Sequence, residues 1–195
     1  MASKPGERKL QILQVLAEML ENPQAEKVTT AGLAARLDVS EAALYRHFAS
    51  KAQMYEGLIE FIEGTLFSLI NKLATDEARG LEQARAMLVL LLGFAEKNPG
   101  MTRVLIGEAL VNENERLQVR MNQLFDRLEA SLRQALRIAA TQNDLADGVD
   151  ANAAANLCLS FIHGRWQQFV KSGFKQKPTA QWEAQWPLLM RAVTP

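Results

Sequence analysis

Apolar residues recur at intervals of three and four along most of the chain. Leu10, Leu13, Leu16, Ala17 and Leu20 fall on one face of a helix predicted over 7–21. Met54, Leu58, Phe61, Ile62, Thr65, Leu69 and Leu73 trace a second stripe about six turns long. That helix opens at Ser50-Lys51-Ala52-Gln53, a capping-box form in which hydroxyl and amide satisfy each other's backbone donors. Over 113–140, Leu117, Met121, Leu124, Leu128, Leu132 and Ala135 keep the rhythm of a helix lying along a bundle core. Further helices are predicted over 81–97, 102–111, 150–172 and 179–193, with a polar, mobile loop over 141–149. The glycines and prolines fall mainly between these segments, at Asn22-Pro23, Gly80, Asn98-Pro99-Gly100, Gly148, Gly173 and Pro178. No stretch alternates apolar and polar residues as a strand does. The pattern predicts an all-α chain: an N-terminal three-helix head over 1–52 and a helical-bundle body over 53–195.

Residues 29–48 carry the most information. They read as two very short helices joined by a tight turn. Thr29 or Thr30 caps the first, and Ala34 and Ala35 are small enough for close backbone approach. Leu33, Leu37, Val39, Leu44 and Phe48 supply apolar contacts that fix the angle between the helices. Ser40 caps the second helix, and Glu41 in its first turn complements the helix dipole. A helix this short contributes little stability of its own, yet it turns Ala42, Tyr45, Arg46 and His47 outward while burying Leu44 and Phe48. That arrangement suits a recognition helix in a DNA major groove. Tyr45 and His47 offer phosphate hydrogen bonds or base stacking, and Arg46 suits phosphate or guanine. The starts of the first short helix and of the helix at Ser50 present amides to phosphates, beside Thr29, Thr30 and Lys51.

Charge sharpens this picture. Lys plus Arg equals Asp plus Glu at 22 each, so no global positive field advertises a polyanion. Residues 1–52 hold seven bases, Lys4, Arg8, Lys9, Lys27, Arg36, Arg46 and Lys51, against six acids. Few phosphate contacts per subunit and a modest salt dependence are expected. The single cysteine, Cys158, excludes an internal disulfide and a multi-cysteine metal cage, which fits a reducing compartment. The N-terminus lacks the apolar segment of a secretory signal, and the apolar run 87–94 is far shorter than the ~20 residues that cross a bilayer. A cytoplasmic protein without a membrane span is expected. There is no serine-centred glycine elbow, phosphate loop, carboxylate pair in an apolar site or metal-spaced His/Cys set. The sequence therefore predicts no catalysis, no metal and no cofactor.

The small-rich first helix, Val39-Ser40, Leu44-Tyr45-Arg46-His47-Phe48 and Ser50-Lys51 together resemble the TetR family over about 50 residues. Asp38 stands where that family usually has glycine in the turn, and Asp tolerates a left-handed backbone better than most residues. The likeness continues into the body, at 58–63, 90–94, 98–100, 122–125, 174–175 and 186–188, where the chain resembles the nucleoid occlusion factors of that family. The resemblance implies homodimers on specific chromosomal DNA sites. It also implies antagonism of the cell-division protein FtsZ, blocking septum formation over the nucleoid. By the same resemblance, FtsZ would be met by Phe61, Leu90, Gly93, Lys97 and Asn98. Lys97 keeps the charge of an arginine common there but loses its planar fork, and Leu69 replaces another arginine.

Several placements stay open on the residues alone. Phe61 lies at the edge of its stripe and fits core or partner surface. Phe67 falls opposite that stripe among Glu56, Glu60 and Glu63, an exposed position unless a partner or another helix covers it. His163 fits a packed or dimer-interface histidine. Trp166, Trp182 and Trp186 cluster in the last two helices and suit a two-fold interface, the alternative being an intrachain core. A symmetric pair of recognition helices predicts a near-palindromic DNA site. The competing function is a ligand-responsive TetR-type repressor, marked by a body pocket with convergent polar groups.

Overall fold

The computed structural model describes residues 5–22, 27–191 and 193–195; Lys4 and Pro23 of the sequence reading lie outside them. Nine α-helices follow one another among the described residues, with no strand: α1 (Pro5–Leu20), α2 (Thr30–Arg36), α3 (Glu41–Tyr45), α4 (Lys51–Asp76), α5 (Gly80–Lys97), α6 (Pro99–Leu105), α7 (Arg116–Thr141), α8 (Ala151–Lys171) and α9 (Trp182–Met190). One 3₁₀ turn, Glu108–Leu110, lies between α6 and α7.

Most boundaries follow the periodicity, and α6 is the main exception. The helix predicted over 102–111 begins three residues earlier and ends at Leu105. Pro99 occupies its first position, where the ring pre-sets φ and the missing N–H has no intrahelical use. The Asn98 carbonyl accepts from both the amide and the hydroxyl of Thr102, each at 2.9 Å. Gly107, at φ +78°, ends the segment. The last helix starts at Trp182 rather than 179, after Gln181 in the left-handed region at φ +64°.

The described chain divides into two compact units. The first runs to Glu63 and takes in Asn98–Met121, so the unit holding the short helices extends past 52. Ile12, Leu16, Leu33, Leu44, Met54, Leu58 and Ile62 form its core. Gly100 lets α6 press directly on α1: a Cβ there would lie 3.0 Å from the Ala17 carbonyl carbon and 3.1 Å from Leu20 Cβ. Beside it the Arg103 guanidinium donates to the carbonyls of Leu20 and Asn22, both at 3.1 Å, satisfying acceptors that the end of α1 leaves open.

The second unit comprises Gly64–Lys97 and Asn122–Pro195. Trp166 of α8 is fully buried against α5, its indole N–H donating to the Leu91 carbonyl at 3.2 Å. Across the irregular connection to α9, the Arg165 guanidinium donates to the carbonyls of Lys177, Pro178 and Ala180 at 2.9, 3.2 and 2.9 Å.

Helix α4 corrects the predicted stripe. Its buried apolar residues are Met54, Tyr55, Leu58, Ile59, Ile62, Leu66, Phe67 and Ile70, whereas Phe61 and Leu69 are about 40% exposed (40% and 42%). The face is rotated because the supposed solvent side is also covered. Arg116 and Arg120 of α7 pair with Glu56 and Glu63 at 2.8 and 2.7 Å. Phe67, expected to be exposed, is 8% exposed, with the Arg127 guanidinium 3.9 Å from its ring centroid.

Candidate nucleic-acid interface

The interface is built from its caps. Thr29, in extended conformation, caps α2 by accepting from the Gly32 amide at 3.0 Å. At the other end Asp38 adopts φ +53°, while its amide bonds to the Ala35 carbonyl at 3.2 Å and the Val39 amide to that of Ala34 at 3.0 Å. This is a Schellman turn, with Asp in the left-handed position that glycine usually fills. Leu33 and Ala34 are buried, whereas Ala35 is exposed and takes no part in the close approach expected of it. Ser40 caps α3 by accepting from the Ala43 amide at 3.2 Å. Beyond Tyr45, the amides of His47 and Phe48 both bond to the Leu44 carbonyl, at 2.9 and 3.1 Å, so the chain leaves the helix in one tight turn. Leu44 and Phe48 are buried as expected, although Phe48 lies past the end of α3.

What remains outward is the candidate reading surface. Ala42, Tyr45 and Arg46 are exposed and His47 is half-buried; Tyr45 keeps 43% of its surface. Arg8, Arg46 and His47 rim a shallow depression of about 290 Å³ floored by Ile12 and Leu44. Thr30 does not cap. Its hydroxyl donates to Glu41 at 2.6 Å and accepts from the Tyr45 phenol at 3.5 Å, the long end of hydrogen bonding. The cap hydroxyls of Thr29 and Ser40 accept from amides and retain their own protons for a phosphate oxygen. At α4, the Ser50 hydroxyl accepts from the Gln53 backbone amide at 3.2 Å, and the Gln53 side-chain Oε1 accepts from the Ala49 backbone amide, one residue earlier than the expected capping box, at 2.9 Å. Lys51 is not free: its ammonium lies 2.6 Å from Glu113. No pattern in the sequence marks Glu113, which is 62 positions from its partner.

The remaining expected site residues are placed as follows. In the first unit, Phe61 and Asn98 line a cleft of about 320 Å³ with Leu10, Leu13 and Leu58. In the second, Leu90 lines a groove of about 710 Å³ between α4 and α5, together with Leu69, Leu73 and Val89. Gly93, inside α5, would offer an added Cβ only open space, and Lys97 is exposed in the last turn of that helix. His163 is half-buried with its ring edge-on to Phe125 at 4.3 Å, and its Nε2 has no hydrogen-bond partner among the described residues. Burial depresses its pKa. Trp182 is buried and Trp186 half-buried, their rings 5.5 Å apart. Trp166 has no exposed surface, so the dimer role expected of it is corrected to intrachain core.

Two capped short helices around a Schellman turn, with an outward Tyr45-Arg46-His47 turn on an all-helical chain, define a DNA-binding regulator of the TetR class. Residues 12–58 match the family described as bacterial regulatory proteins, tetR family, and residues 79–194 the SlmA-like family described as tetracyclin repressor-like, C-terminal domain. The nucleoid occlusion factor SlmA of Vibrio cholerae is 52% identical over 192 residues, 98% of each chain. That of Idiomarina loihiensis is 50% identical over 189 residues, 97% of this chain and 96% of its own. The chain belongs to the SlmA family of nucleoid occlusion factors, which are DNA-binding regulators and not enzymes. Among solved structures, a TetR-family transcriptional regulator from Agrobacterium tumefaciens superposes with a TM-score of 0.80 at 18% identity, covering 98% of this chain and 100% of its own. FadR from Bacillus subtilis, in complex with stearoyl-CoA, gives 0.77 at 16%, covering 94% and 98%. These two share the fold.

Proposed function

We propose that the protein works as a homodimer on near-palindromic chromosomal DNA sites and, from there, antagonises FtsZ assembly in the cytoplasm around the nucleoid. The observation that carries this reading is identity near 50% running through the body as well as the head. DNA reading falls to Thr29, Thr30, Ser40, Ala42, Tyr45, Arg46 and His47. For FtsZ, the exposed apolar surface of Phe61 in the first unit and the groove at Leu90 in the second each offer an apolar segment a place to dock, while Gly93, Lys97 and Asn98 are assigned by the family resemblance. The glycine at 93 supports this too, since mid-helix glycine costs about 1 kcal/mol against alanine and no neighbour here requires it.

Dimerisation is assigned to α8 and α9. Leu157 and Leu188 are large apolar residues left exposed, at 47% and 67%. Ser160 and Gly164 form a small-residue pair one turn apart, and nothing occupies the space above Gly164. A second copy of α8 would pack on that bare strip, and His163, Trp182 and Trp186 are assigned to the same interface. The reading is tested by light scattering of purified FtsZ polymerising with the protein, with and without a duplex carrying its selected site. Reduced polymer with the duplex present is expected. No effect in either condition would favour a ligand-responsive repressor. Tyr45→Ala with His47→Ala abolishes site-specific binding while leaving the dimer intact; unchanged binding would remove α3 from the reading role.

A further inference from the structure

Two lysines bracket the DNA-reading helices. Lys27 stands just before α2, and Lys51 opens α4 directly after α3. Both meet one acceptor. Glu113 Oε1 lies 2.6 Å from Lys51 Nζ and 3.1 Å from Lys27 Nζ. Lys27 also donates to the Asn112 carbonyl at 3.0 Å, and Asn112 holds the left-handed conformation at φ +62° that turns the chain back there. The Glu113 side chain is only 9% exposed, against 24% for Lys51 and 50% for Lys27. Lys51 sits at a helix start, where amide groups and a cation together would grip a phosphate. In this chain that cation is already neutralised.

We propose that Glu113 is a specificity-determining residue of the DNA reader, which withholds Lys27 and Lys51 from the phosphate backbone and so suppresses sequence-independent binding. The proposal rests on the DNA-binding assignment made above. Releasing the lysines to DNA would strand a nearly buried carboxylate without a cation, a larger loss than one solvent-exposed lysine–phosphate contact returns. The pairs therefore persist on DNA. Non-specific affinity scales with the number of phosphates neutralised, whereas discrimination comes from base contacts. Two cations removed from the first count leave the second untouched. The same carboxylate ties the chain before α2 to the chain after α3, which braces both ends of the reading unit.

The test measures binding of the full-length protein to a random-sequence 20-base-pair duplex by fluorescence anisotropy across a salt series. Glu113→Gln steepens the slope of log K against log salt by about 1 to 2 per chain and raises affinity for this duplex several-fold at low salt. Lys51→Gln alone leaves the native slope unchanged, but in the Glu113→Gln background it takes back about one unit. The proposal is overturned if Lys51→Gln alone flattens the slope by about 0.9, or if folded Glu113→Gln leaves it unaltered. Should Glu113→Gln fail to fold, the single Lys51→Gln and Lys27→Gln slopes decide the question. Binding of the native protein to a duplex carrying its selected site, measured alongside, reports the DNA-reading activity separately.

Discussion

Replacing Gly100 by alanine attacks a close approach of two helices in the first unit. The new Cβ would stand 3.0 Å from the Ala17 carbonyl carbon and 3.1 Å from Leu20 Cβ, and nearer still to the Ala17 oxygen. Because two of these obstacles belong to α1 backbone, no side chain can swing aside. The helices must separate by on the order of 1 Å, and a gap of that size forfeits a quarter to a half of each dispersion contact across it. It also stretches the Arg103 bonds to Leu20 and Asn22. Overpacking of this kind costs about 3 kcal/mol, and the better helix propensity of alanine returns about 1 kcal/mol, leaving a net loss of roughly 2 kcal/mol. Urea denaturation at a fixed protomer concentration measures it, with Gly93→Ala as the control. There an added methyl meets open space, and stability should rise by about 0.5–1 kcal/mol. If Gly100→Ala came within about 0.5 kcal/mol of the native protein, the normal range for surface changes, the claim that glycine sets the α1–α6 separation would be refuted.

Three further outcomes follow from the reading unit and the body. Asp38→Val forces a β-branched residue into φ +53° and should cost about 1–2 kcal/mol, whereas Asp38→Gly should cost nothing measurable by the same denaturation assay; equal effects would contradict the left-handed assignment. Ser40→Ala removes the α3 cap and should cost about 1 kcal/mol, with site-specific DNA affinity falling alongside; unchanged stability would show that the Ala43 amide finds another partner. Burial holds the His163 imidazole below its ordinary 6.5. The unfolded chain therefore takes up this proton first as pH falls. Stability is full above pH 6.5 and declines below it, down to the depressed folded value. Comparing pH 7.5 with 5.5, the native protein should lose more stability than His163→Phe, and an equal loss would show that His163 contributes nothing to the pH dependence.

The long helices, the turn that ends α2 and the cap that starts α3 are legible because each is written in local terms: apolar residues at 3/4 spacing, Asp in a turn, Ser before a short run. What escaped the sequence was non-local or two-sided. Gly100 stands in Asn-Pro-Gly, a combination that marks a turn, and nothing in one sequence separates a turn glycine from one required by a neighbouring helix. The buried face of α4 departs from the apolar stripe because arginines of α7 roof its acidic side, which covers Phe67, while Phe61 stays exposed. Trp166 was ambiguous because an aromatic cluster fills an intrachain core as readily as an interface. The Lys27–Glu113–Lys51 grouping joins three distant segments and leaves no periodic trace at all.

Five residues make up α3, too few for a helix to persist by itself. Its shape is imposed from the two ends, by the Ser40 hydroxyl at one and by the doubly used Leu44 carbonyl with buried Phe48 at the other. Ala42, Tyr45 and Arg46 contribute almost nothing to that anchorage. Target preference is thus separable from foldability: descendants of this chain are free to exchange the outward residues and acquire new chromosomal addresses without first repairing the scaffold. The anchoring positions enjoy no such freedom, since altering any one of them would shift every outward side chain at once.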